Sequence, residues 1–110
     1  MTDRALRRLY LKLNRDWFDD MLPTDNVHLV FVDSRESGRW TYWSDDTFDI
    51  CIVTDLRGRP WAVGLTLMHE MIHMYCHMQG ANWVGHLTHG PVFQQVKQDL
   101  MKRGAFDKYI

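Results

Sequence analysis

Glutamate is scarce in this chain. Of its 14 acidic residues, only Glu36 and Glu70 are glutamates. Cysteine is scarcer than a disulfide scaffold needs: Cys51 and Cys76 are the only two, and they read as a strand and a helix residue, which argues against a disulfide framework or a cysteine metal cluster. No apolar core follows Met1-Thr2-Asp3-Arg4, so no secretory signal is read there. No run approaches membrane-spanning length. The formal charge of −1 gives no global field that favours nucleic acid. Together these absences point to a reducing, cytoplasmic setting and no membrane partner. What the chain does have is an apolar content of 45% and five tryptophans in 110 residues, enough to fold one small domain, 1–110, around a modest core.

The stretch that organises the chain is His69-Glu70-Met71-Ile72-His73. On a helix, residues four apart share a face, so both imidazoles can close on one metal ion. Glu70 sits about 100° round from His69, placed to reach a water on that metal rather than the metal itself. This is the arrangement of zinc hydrolases. The segment 65–79 reads as the helix that it requires, with Pro60 in the first turn and Gly80 as its stop. Trp61, Leu65, Met68, Ile72 and Tyr75 or Cys76 form an apolar stripe, and Thr66, His69, His73 and His77 a neighbouring polar one.

Around that helix the pattern gives an α+β fold. Thr2 or Asp3 caps a first helix whose apolar positions are Leu6, Leu9, Leu13 and Trp17, widened by Tyr10 and Phe18. Its other faces carry Arg4, Arg7, Arg8, Lys12 and Arg15, which read first as a solvated surface and second as a DNA contact. Segments 27–32, 39–43 and 48–54 read as strands joined by short turns, a small and mostly antiparallel sheet. Residues 82–88 read as a loop anchored by Trp83, Val84 and Leu87. Pro91 opens the last helix, and Gly104 ends it.

A catalytic zinc takes a third protein ligand. His77 lies about 12 Å from His69 along a straight helix, and a His73–His77 pair would have Met74 where the base belongs. No glutamate follows the motif, so a downstream glutamate ligand is excluded unless Asp99 substitutes. His86 and His89 both follow glycines that let the chain fold back. His89 stands at a helix N-terminus, where the helix field keeps an imidazole neutral, the form a ligand needs.

The motif joined to His89-Gly90-Pro91-x-Phe93, and preceded by a helix ending Trp17-Phe18-x-x-x-Leu22-Pro23, resembles the SprT-like or Spartan-type zinc metallopeptidases over nearly the whole chain. That resemblance implies a zincin-like fold and one zinc ion per chain, held by His69, His73 and His89 with Glu70 as general base. It leaves His86 outside the matched pattern, beside the metal at most. It implies a protein or peptide substrate and zinc-dependent peptide-bond hydrolysis, with DNA-associated proteins as one substrate class. The cysteine-rich ribbon and DNA-binding segments of many relatives have no counterpart here, so a partner or adaptor protein is one route to the substrate. A compact genome such as a phage's is one setting for such a core, and would put it in the host cytoplasm. His77, His86, Tyr42 and Tyr75 are candidate donors to the transition state, although Tyr75 fits core packing better. The competing reading is a non-catalytic, zinc-stapled module that binds DNA or a protein; a glutamate beside the first histidine has no use in that role.

Overall fold

A computed structural model describes residues 1–80 and 89–109. The first helix, α1 (Asp3–Trp17), starts where expected. The Thr2 hydroxyl accepts a hydrogen bond from the Ala5 amide at 3.1 Å, which satisfies one of the orphan N–H groups of the first turn. Its buried face holds Leu6, Tyr10 and Leu13, and also Asn14. Leu9 and Trp17 are only partly buried. Asn14 is fully buried because its amide clamps the turn that follows: Oδ1 accepts from the Leu22 N–H at 3.1 Å, and Nδ2 donates to the Leu22 carbonyl at 3.0 Å. A buried amide is tolerated only with such partners.

The sheet comprises β1 (Val27–Val32), β2 (Gly38–Tyr42) and β3 (Phe48–Val53) in the order β1-β3-β2. It is mixed. β1 pairs with β3 in parallel, Val27 opposite Phe48, whereas β2 pairs antiparallel to β3, Gly38 opposite Ile52. The sequence reading paired consecutive strands and expected a mostly antiparallel sheet. Instead β3 separates β1 from β2. The difference lies in burial: β3 carries Ile50 and Ile52, both fully buried, and the most deeply buried strand takes the centre, where both of its edges are paired. β2, with Arg39 exposed and no fully buried residue, takes an edge. The β2–β3 hairpin closes through Trp43 and Thr47, with Asp46 at φ 63°.

Helix α2 (Pro60–Met78) opens on its proline and ends at Gly80, φ 75°, the left-handed position that glycine occupies without strain. It touches β2, β3, α1 and a third helix, α3 (Pro91–Lys102). That central place corrects the apolar stripe. Leu67, Met71 and Met74 are fully buried beside Met68 and Ile72, whereas Trp61 is 56% exposed. A helix covered on several sides carries apolar residues all round, and a single stripe does not describe it. In α3, Phe93 and Leu100 are buried and Val96 is partly so. Gly104 turns the chain at φ 87°. A short 3-10 turn, Asp107–Tyr109, then packs back on α2. An added Cβ at Gly64 would lie 2.2 Å from the Tyr109 ring, so only glycine admits this approach.

Candidate metal centre

The site is assembled from two elements. α2 presents His69 and His73 one turn apart, and His89 precedes α3 by one capping residue, Gly90. The Nε2 atom of His89 lies 3.1 Å from Nε2 of His73 and 3.1 Å from Nε2 of His69. All three ligand atoms fall within 4.8 Å of one another. Nitrogens bound to a tetrahedral zinc at about 2.0–2.1 Å sit roughly 3.3 Å apart, so the two spacings from His89 are close to what a shared zinc requires. The chemistry fits too. A neutral imidazole has one N–H and one lone pair, and the single Nε2 of His89 cannot make two good hydrogen bonds to two flanking ring nitrogens. A shared cation would satisfy all three lone pairs at once.

The rings are held from below. Phe93, three residues after the Gly90 cap, lies 4.6 Å from the His73 ring, 4.8 Å from His89 and 5.2 Å from His69, measured between centroids. Trp40 of β2 lies nearly parallel to His73 at 6.5 Å. Burial, and then the neighbouring His69 and His89, push the His73 imidazole down to about 4. Burial, His89 and Lys97 also lower His69. Both rings are therefore neutral near pH 7, as metal ligands must be.

Glu70 is 4% exposed. Its Oε2 has no hydrogen-bond partner among the described residues. Burial raises its carboxyl to about 7, and the charge of Glu36 adds to the effect. It lines a cavity of about 350 Å³ with Ser37, Gly38, Leu65, Thr66 and His69. A buried carboxylate oxygen without a partner is costly. One that borders a candidate cation site, with a near-neutral pKa, is placed for proton transfer.

The other sequence candidates separate from this group. Tyr42 donates its hydroxyl to Asp46 within the hairpin. The His77 ring rests on aromatic neighbours, 4.7 Å from Tyr42 and 5.2 Å from Trp40, and is not among the three grouped histidines. Tyr75 packs on Phe18 at 5.9 Å, and the Asp99 carboxylate lies 3.8 Å from Arg103. His86 and the loop anchors Trp83, Val84 and Leu87 lie outside the described residues. Two contributors went unread in the sequence. Trp40 falls inside the strand segment 39–43 and Gly38 in the turn before it, and neither position carries a signal of its own. No family model matches the chain, and no curated protein matches it. Among the described residues, no helix is long and apolar enough to cross a membrane.

Proposed function

We propose that the chain is a zinc-dependent peptidase of the SprT-like kind, with His69, His73 and His89 as ligands and Glu70 as general base. The observation that supports this reading most strongly is the convergence of three imidazole nitrogens beside a buried carboxyl with a near-neutral pKa. A structural staple needs the first feature and not the second. When bound, zinc polarises a carbonyl and acidifies water.

The chain's own groups do the rest. Glu70 takes a proton from the attacking water and returns it to the leaving amine, which a group titrating near the working pH does most effectively. Phe93 and Trp40 fix the ring orientations. Among the described residues, β2 pairs on one side only. Its outer edge offers backbone groups to an extended peptide, with the Glu70 cavity directly beside Gly38.

The test is Glu70→Gln in zinc-loaded protein, read by cleavage of an unfolded protein substrate and by metal content. The expected result is unchanged metal and a rate lower by about 10²–10⁴-fold. Full hydrolysis by the variant would overturn the mechanism.

A further inference from the structure

Where α1 ends against α2 and α3, a cavity of about 240 Å³ opens, with Trp17, Phe18, Asp19, Tyr75, Asp99 and Arg103 in its walls. It shares no residue with the Glu70 cavity or with the grouped histidines. Tyr75 follows His73 by two residues, which is about 200° round α2, so the helix itself separates the two places. Pockets that enclose a whole small molecule measure roughly 300–1,000 Å³. This smaller one has room for a single long side chain.

The lining favours a cation. Trp17, Phe18 and Tyr75 bring three aromatic rings, the last two in contact at 5.9 Å between centroids, and aromatic faces attract positive charge. Asp19 and Asp99 add two carboxylates. α1 ends at Trp17, which brings the negative end of its dipole to the same place. Asp19 is set there by the backbone. It and Asp20 are left-handed, at φ 53° and 58°, and the Asp20 N–H donates to the Asn14 carbonyl at 3.0 Å. None of the ion pairs among the described residues uses the Asp19 carboxylate.

The chain's own Arg103 marks the chemistry that this lining takes. Its guanidinium stands 5.6 Å from the centre of the Trp17 ring, donates to the Trp17 carbonyl at 3.5 Å and lies 3.8 Å from the Asp99 carboxylate. A fully engaged guanidinium comes within about 2.7–2.9 Å of a carboxylate. Arg103 is therefore held loosely, and its side chain is 43% exposed.

We infer that this cavity is a docking site for an arginine side chain of a partner protein. The incoming guanidinium lies on the Trp17 ring within reach of Asp19 and Asp99, and Arg103 gives way to it. A planar guanidinium matches a ring face and a carboxylate together, which a compact ammonium does not. An arginine inside a polypeptide has neutral amides on both sides, whereas free arginine would bring its own carboxylate towards Asp19 and Asp99. The site does not depend on the peptidase reading. Asp99 lies six residues beyond Phe93, about 9 Å along α3, so a protein docked here is held near the three histidines.

Four pentapeptides with glycine flanks and a central arginine, citrulline, lysine or glutamate test this on the full chain. Binding is read by nitrogen–proton NMR from the Trp17 indole signal, assigned by its loss in Trp17→Phe. The arginine peptide is expected to bind at least about tenfold more tightly than its neutral citrulline counterpart, and about threefold or more above the lysine peptide. Arg103→Gln removes the resident competitor and should tighten the arginine peptide by about three- to tenfold. Asp19→Asn should weaken it by about threefold or more. Equal binding of the arginine and citrulline peptides, tighter binding of the glutamate peptide, or no saturable shift of the Trp17 signal would overturn the site. Free arginine binding as tightly as the peptide would overturn a protein as its occupant. The comparison of arginine with citrulline uses the unmodified protein, so it decides the matter even if a variant fails to fold.

Discussion

Gly38 lies against Glu70: a Cβ built on the glycine would stand 3.3 Å from the Glu70 Cγ and 2.6 Å from the Thr66 Cγ2. The edge strand β2 can approach α2 this closely because one of its residues has no side chain. We expect Gly38→Ala to cost about 1–3 kcal/mol, the usual range for overpacking, because Thr66 or the strand must shift. Under the peptidase reading it should lower hydrolysis more than metal content, since the three histidines are held from elsewhere. Urea unfolding and metal analysis of the variant check both halves. Unchanged stability would mean that the strand moves freely on the helix.

Gly64 and Tyr109 make a corresponding contact in the same N-terminal half of α2. Gly64→Ala should destabilise the chain by about 1–3 kcal/mol, and Tyr109→Ala in the same chain should recover part of that loss. Denaturant midpoints of the two single variants and the double variant give the coupling. Additive losses would show that the Tyr109 ring does not press on Gly64.

Asn14 holds both polar groups of the Leu22 backbone. Asn14→Ala leaves a buried N–H and C=O without their partner, at about 1–3 kcal/mol for each group that stays dry. The loss should appear in the equilibrium midpoint and leave metal content unaltered, because the Asn14 amide bonds the Leu22 backbone and not the three histidines. A variant as stable as the unmodified protein would contradict the clamp.

Glu70 and His73 give the metal-free protein opposing dependences on pH. The Glu70 pKa rises from 4.5 to about 7 on folding. Its contribution to stability is full below about pH 4.5 and disappears as the pH rises through 7. The His73 pKa falls from 6.5 to about 4. Its contribution is full above pH 6.5 and is lost as the pH falls through 4. Between pH 4.5 and 6.5 the two slopes oppose each other. Glu70→Gln removes one of them, so with metal chelated its melting temperature should climb with pH across that window more steeply than that of the unmodified protein. Equal slopes for the two proteins would contradict the burial of an ionisable Glu70.

The helices were legible because each carries its own punctuation: Thr2 at a cap, Pro60 and Pro91 in first turns, Gly80 and Gly104 at stops. The paired histidines were legible because a four-residue spacing has one geometric meaning on a helix. Strand order was not legible. It depends on which strand takes the centre of the sheet, and β1 and β3 are equally apolar in sequence, so burial in the fold rather than composition or chain order distinguishes them. The exposure of Trp61 was hidden for a related reason, since periodicity names a buried face only for a helix that has one. His89 could be placed beside His69 and His73 only through its motif context, because nothing local fixes how a chain returns over a gap of sixteen residues.

The most direct measurement is zinc per chain by elemental mass spectrometry, on the unmodified protein and on His89→Ala and His86→Ala. A three-histidine centre predicts one zinc in the unmodified protein and in His86→Ala, and a large loss in His89→Ala. Equal loss in both variants would point to a closed four-ligand site and a structural role. No zinc in the unmodified protein after zinc is supplied would contradict the metal centre itself.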